Sequence, residues 1–200
     1  MPANNHTLLV VESDALVAAA LVQCLRAAGF VVLEARDSAA ALAICRSHAP
    51  ALAIVDSCMP KLAGVGLAQL ITSQSDVALF FLSTDGDAQT VKAAVAAGAL
   101  AYLVKPFDAP QLLAGVHTAL ERAREFGALR QQARALDAAL RTARTVSVAV
   151  GVLMGKLHLD QEAAFESLRR HARSNRRRLE EVAEELLQST EAANRLLKRA

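Results

Sequence analysis

Through the first half of the chain, short apolar runs alternate with helical patterns, and this alternation constrains the fold more than any other feature. Leu8–Val11, Val31–Leu33, Leu52–Val55, Val77–Leu82 and Ala101–Val104 have the length of strands. Between them lie Ala15–Ala28 closed by Gly29, Ser38–His48 with Ser38 as its N-cap, a segment from Val65, and Ala88–Ala97 closed by Gly98. The strand runs are apolar throughout, which a strand needs only when both its faces are covered. The expected fold is therefore α/β, a doubly wound parallel five-stranded sheet with helices on both sides.

In such a sheet a ligand sits beyond the carboxyl ends of the strands. Those ends carry Glu12, Ser13 and Asp14 after the first strand and Asp56 after the third. Ser83 and Thr84 follow the fourth, and Lys105 follows the fifth. Carboxylates, hydroxyls and a lysine on one edge are the parts of a Mg²⁺-assisted phosphoryl site. Asp14 lies one residue further out and is expected to cap the first helix.

A chain that is 54% hydrophobic with a net charge of +2 is expected to bury a core rather than stay disordered. The longest apolar stretch, from Ala15, is interrupted by Gln23 and Arg26, too soon for a membrane helix. The opening MPANNHTLLVVESD has no basic stretch ahead of its apolar residues, so no secretory leader is expected. Cys24, Cys45 and Cys58 lack metal-site spacing and read as free thiols of a reducing compartment, so a cytoplasmic location is expected.

Charge divides the chain. Residues 1–120 hold 6 Lys/Arg against 9 acids, while residues 121–200 hold 16 against 11. The basic half is the one expected to meet a polyanion. No strand signal follows Phe107; Asp108 and Pro110 open a helix that acquires a heptad from Phe126. Phe126, Ala133, Leu140 and Ser147 repeat at one position, and Leu129, Leu136, Ala143 and Val150 at another. The seam Phe126, Leu129, Ala133, Leu136 and Leu140 is expected to join two chains, although so alanine-rich a seam suits packing within one chain as well.

Two further amphipathic helices follow. Asp160 caps one with Ala164, Phe165, Leu168 and Ala172 on its apolar face. Ser174 or Asn175 caps the other, which presents Leu179, Val182, Ala183, Leu186 and Leu187. With Val146, Val150, Leu153, Met154 and Leu157 they predict a small three-helix core. The outward residues are Lys156, Arg169, Arg170, Arg173, Arg176, Arg177 and Arg178. The last three are expected to open a helix, where cations oppose the macrodipole but suit a bound phosphate. The alternative is a solvated face with Arg176 and Arg177 paired to Glu180 and Glu181.

VVESD, IVDSCMPKLAG, FLSTDGD and AGALAYLVKPF together resemble the receiver domain of two-component response regulators, over residues 6–121. The resemblance implies that Asp56 accepts a phosphoryl group and that Glu12, Asp56 and the Cys58 carbonyl face Mg²⁺. It further implies that Ser83 and Lys105 contact the phosphoryl group, with Thr84 beside them, and that Tyr102 is an aromatic switch. Ser13 stands where receivers carry a second metal-binding acid, so a weak Mg²⁺ site is expected.

The stretch AVGVLMGKLHLDQEAAFESLRRHARSNRRRLEEVAEELL resembles the ANTAR family of RNA-binding output domains, over residues 126–188. Val150 and Arg173 depart from its usual Lys/Arg and Met. The organisation expected is a receiver (6–121), a coiled-coil linker helix (122–147) running into the ANTAR domain (126–188), and a tail (189–200). The resemblance implies an antiterminator that binds stem-loops in nascent RNA, under a sensor kinase or a regulatory partner protein.

Two other classes compete with that expectation. A DNA-binding regulator with a helix-turn-helix output would also have three helices and a basic face. An enzyme would need a nucleophile–base pair, and His158 and His171 with their neighbouring acids offer no such spacing. The enzyme reading is set aside on that ground.

Overall fold

The protein is described here by a computed structural model covering residues 6–57 and 64–197. It divides into two compact units, residues 1–129 and 130–200.

The first unit is a parallel sheet of β1 (Thr7–Val11), β2 (Val31–Ala35), β3 (Leu52–Asp56), β4 (Ala78–Ser83) and β5 (Ala99–Val104), in the order β2-β1-β3-β4-β5. Its helices are α1 (Ala15–Ala27), α2 (Ser38–His48), α3 (Gly64–Gln74), α4 (Ala88–Ala96) and the first part of α5 (Ala109–Leu157). Strand periodicity sorts the core into two layers. Leu8, Val10, Leu52, Ile54, Phe80 and Leu82 pack with Leu21 and Leu25 of α1 and with Leu112 and Val116 of α5. Their neighbours Leu9, Val11, Ala53, Val55, Leu79 and Phe81 face the other way, onto Ala41, Leu67, Ile71 and Ala94.

Gly115 lets α5 lie close on this sheet, because a Cβ there would come within 2.6 Å of the Phe80 ring. Asp108 and Gln111 start the helix reciprocally. The Asp108 carboxylate accepts from the Gln111 amide at 2.8 Å, and the Gln111 side chain accepts from the Asp108 amide at 3.0 Å. Asp37 caps α2, its carboxylate accepting from the Ala40 amide at 2.8 Å, so Ser38 is the first helical residue rather than the cap. Strand order reverses at β1 and β3, which opens a crevice at their carboxyl ends.

The second unit holds the remainder of α5, α6 (Gln161–Ser174) and α7 (Leu179–Leu197). Its core is Ala149, Val150, Ala164, Leu168, Ala172, Val182 and Ala183. Leu157, expected in that core, is 54% exposed; Leu159, past the end of α5, packs there instead. Phe165, also expected inside, is 37% exposed.

The α6–α7 connection differs from expectation as well. Neither Ser174 nor Asn175 caps α7: Ser174 ends α6 and Asn175 is its C-cap. The Arg177 amide donates to the Ala172 carbonyl at 2.9 Å and the Arg176 amide to the Arg173 carbonyl at 3.1 Å. With Arg176 left-handed (φ 51°), this is a Schellman ending. Arg176, Arg177 and Arg178 thus form the turn before α7 rather than its first helical residues. Arg173 and Arg176 lie at the negative end of the α6 dipole, where cations are favourable.

Candidate functional site

Four strand ends build a pocket. Glu12 after β1, Asp56 at the end of β3 and Ser83 at the end of β4 are all buried, and Lys105 follows β5. The Lys105 ammonium donates to Glu12 Oε2 at 2.8 Å and lies 3.4 Å from Asp56 Oδ2. Two carboxylates and one ammonium leave the pocket with a net charge of about −1 by formal count. Burial of the ammonium depresses the Lys105 pKa, but its hydrogen bond to Glu12 and the Asp56 and Glu12 charges outweigh this and raise it above the ordinary lysine value. Lys105 is therefore a fixed cation at neutral pH.

Asp14 does not join the pocket. It caps α1, accepting from the Leu16 and Val17 amides at 2.8 and 3.1 Å, and those bonds lower its pKa. Its own amide donates to Glu12 Oε1 at 3.0 Å, which holds the Glu12 carboxylate in place. Ser13 is exposed at the rim. Cys58 lies outside the described residues. Among the described residues no group of three or more His, Cys, Asp or Glu is arranged to hold a metal ion. The two buried carboxylates are nonetheless hard oxygen donors of the kind Mg²⁺ takes.

The Ser83 hydroxyl is engaged from two sides, by the Ser57 hydroxyl at 2.7 Å and by the Asp85 amide at 3.0 Å. Asp85 also offers its carbonyl to the Tyr102 hydroxyl at 2.5 Å. Ser57, Ser83, Asp85 and Tyr102 thus form one continuous chain from pocket to surface. Ser57 and Asp85 were not legible as site residues from strand ends alone. The available signal was adjacency: one follows Asp56 directly, and the other is two residues past Ser83. Thr84, next to Ser83, is exposed.

The basic residues of the second unit divide by partner. Arg177 is committed to α7, paired with Glu181 at 3.9 Å and with Glu185, and the Glu185 hydrogen bond raises its pKa. Arg169 holds Glu166 at 2.8 Å, and Lys156 donates to the Thr190 hydroxyl at 3.2 Å. Arg170, Arg173, Arg176 and Arg178 are exposed and make no ion pair with another described residue. They occupy the C-terminal half of α6 and the turn after it.

Phe126, Leu129, Leu136 and Leu140 of the α5 seam are 50–63% exposed, and Ala133 is exposed too. Val150 and Ala149, by contrast, are buried in the core of the second unit. The exposed apolar row therefore ends before Val150. Among the described residues no helix is long and apolar enough to cross a membrane.

Comparison with known proteins places two family models on the chain. The response regulator receiver domain matches residues 8–117, and the ANTAR domain matches residues 134–187. The chain is 34% identical over 182 residues to the transcriptional regulatory protein PdtaR of Mycobacterium tuberculosis, covering 90% of this chain and 89% of that one. It is 33% identical over 123 residues to the probable transcriptional regulator ycf27 of Porphyra purpurea, a match spanning 51% of the latter. Among solved structures, a receiver domain protein from Clostridium thermocellum superposes with a TM-score of 0.56 at 27% identity, covering 60% of this chain and 98% of that one. A CheY-like receiver from Methanospirillum hungatei shares the fold at a TM-score of 0.57 and 21% identity, over 61% of this chain and 98% of that one.

Proposed function

The chain belongs to the response regulator receiver family and carries an ANTAR domain after its receiver, and on that premise we propose that it is a transcription antiterminator whose basic helical unit binds stem-loops in nascent RNA. The observation that carries this reading is the cluster Arg170, Arg173, Arg176 and Arg178, exposed and without ion pairs to other described residues. Guanidinium groups held at a helix end and turn suit phosphates and loop nucleotides. A helix-turn-helix recognition helix would contact DNA bases with its N-terminal residues, and the first turn of α7 is instead acidic, with Glu180 and Glu181. Holding the stem-loops would prevent the terminator hairpin from forming.

The receiver is the input. Asp56 is the proposed phosphoacceptor, Lys105 balances the added charge, and Ser83, already accepting from the Asp85 amide, can turn its own proton to a phosphoryl oxygen. The Ser83–Asp85–Tyr102 chain offers a route from that event to the surface. Mg²⁺, held by Glu12 and Asp56, would neutralise charge during phosphoryl transfer. With Ser13 in place of a second acid that site is weak, so control falls to a slow phosphorylation by a sensor kinase or to a partner protein binding the receiver. The action is cytoplasmic in this reading, with transcription.

The output unit works as a dimer. The exposed seam Phe126, Leu129, Ala133, Leu136 and Leu140 supplies the apolar row, and the pair is read as parallel. In parallel register Glu125 of one chain faces Arg130 of the other and Gln132 faces Asp137.

Single-round transcription tests the function. The template carries two stem-loops, the second overlapping a terminator. Read-through that rises with protein, and falls when Arg173 and Arg176 become Gln, is expected; unchanged termination at saturating protein would overturn the reading.

A further inference from the structure

The row on α6 next to the buried line carries an aromatic ring, Phe165, that the proposed function leaves unused. Ala164, Leu168 and Ala172 are the buried line, at i, i+4 and i+8. One position on, Phe165, Arg169 and Arg173 form a second row with the same spacing, and such residues stack one above another on a helix surface. Phe165 is 37% exposed, and it is the sole aromatic residue after Phe126. Arg169, one turn on from it, is half exposed and bonded to Glu166 at 2.8 Å, while Arg173 is exposed. Arg176 lies just beyond, in the turn.

An apolar ring that is left partly in water, at the head of a row of guanidinium planes, has a specific chemical use. Aromatic rings and guanidinium planes both stack on nucleobases, and unpaired bases of RNA loops are recognised in this way. A base stacked on the ring and flanked by a guanidinium also gains a cation–π contribution. Paired stem nucleotides keep their faces covered, so this row discriminates loop from stem. The phosphate-directed residues Arg170 and Arg178 cannot do that.

We propose that Phe165, with Arg169 and Arg173, is a stacking platform for unpaired RNA bases, and that it supplies the loop selectivity of the basic unit. This rests on the RNA-binding reading above. Phe165→Leu keeps apolar bulk and removes the ring; Phe165→Trp keeps a stacking surface.

The test uses the full chain. RNA hairpins are first selected by the unmodified protein from a library with randomised loops, and a selected hairpin is then labelled with 2-aminopurine in its loop. Stacking worth about 1–3 kcal/mol per base corresponds to an affinity loss for Phe165→Leu of about fivefold to 150-fold. The 2-aminopurine quenching on binding should be lost with it, while the salt slope stays unchanged because no phosphate contact is removed. Phe165→Trp should bind as tightly as the parent, and thermal unfolding of both variants should match it. Equal affinity and quenching for Phe165→Leu would overturn the platform while leaving RNA binding intact. A change of sedimentation in that variant would overturn it too, by assigning the ring to contact between chains. If no hairpin is selected at all, the RNA-binding reading itself fails, and the platform with it.

Discussion

Replacing Leu136 and Leu140 by lysine attacks the proposed dimer where its energy is concentrated. Burying a leucine completely is worth about 1.5–3 kcal/mol. Leu136 and Leu140 are 63% and 61% exposed in the single chain, so most of that gain is still unrealised. Roughly 1–2 kcal/mol per leucine, over the four such leucines of a dimer, gives about 4–8 kcal/mol of association energy. At about 1.4 kcal/mol per factor of ten, the double variant should raise the dimer dissociation constant at least a thousandfold. Lysine has nearly the helix propensity of leucine, and neither position touches a core, so both folded units should survive. Sedimentation velocity reads the change as dimer converting to monomer. Two-hairpin RNA affinity should fall at least about tenfold as the second contact ceases to be intramolecular. An unmodified chain that sediments as a monomer at RNA-binding concentrations with high affinity would rule out this dimer, as would a double variant that stays dimeric.

Ser13→Asp should raise Mg²⁺ affinity and phosphorylation at Asp56 together, since it restores a second acid at the rim; efficient Mg²⁺-dependent labelling of the unmodified chain would contradict this, and radiolabelled phosphoryl transfer measures it. Arg176→Gln with Arg178→Gln should weaken RNA binding and shrink the salt slope by about one to two, whereas Arg177→Gln, whose side chain is held by Glu181 and Glu185, should leave the slope alone. Asp87, the α4 cap, has its pKa lowered to about 2, chiefly by the Thr90 side chain and then by backbone bonds from Thr90 and Gln89. Its stabilisation is therefore complete above the unfolded value of 3.8 and is lost as pH falls from there through about 2. In Asp87→Asn, acid titration of receiver stability should be shallower across that window, and an unchanged profile would place the acid sensitivity elsewhere.

The sheet was legible because strands buried on both faces need continuous apolar runs, and their ends place Glu12, Asp56, Ser83 and Lys105 on one edge. What the sequence hid were features set by geometry across distant elements. The Ser57–Ser83 contact depends on the pairing of Asp56 with Leu82 across β3 and β4. Asp37 and Ser38 are both good cap residues, and only the backbone conformation decides between them. In SNRRR no glycine marks the end of α6: Arg176 takes the left-handed position that glycine usually fills, so the turn reads as a helix start. Phe165 sits one residue off the Ala164–Leu168–Ala172 line, at the border between core and solvent, where a hydrophobic pattern counts it as core.

Binding of the full chain to a two-hairpin RNA and to duplex DNA of matched length, each at two salt concentrations, separates an RNA-binding output from a DNA-binding one. At least tenfold tighter binding to RNA is expected, with affinity falling as salt rises by about 0.7 to 0.9 in the log–log slope per phosphate contact. Equal or tighter binding to the DNA duplex, or RNA binding indifferent to salt, would contradict it.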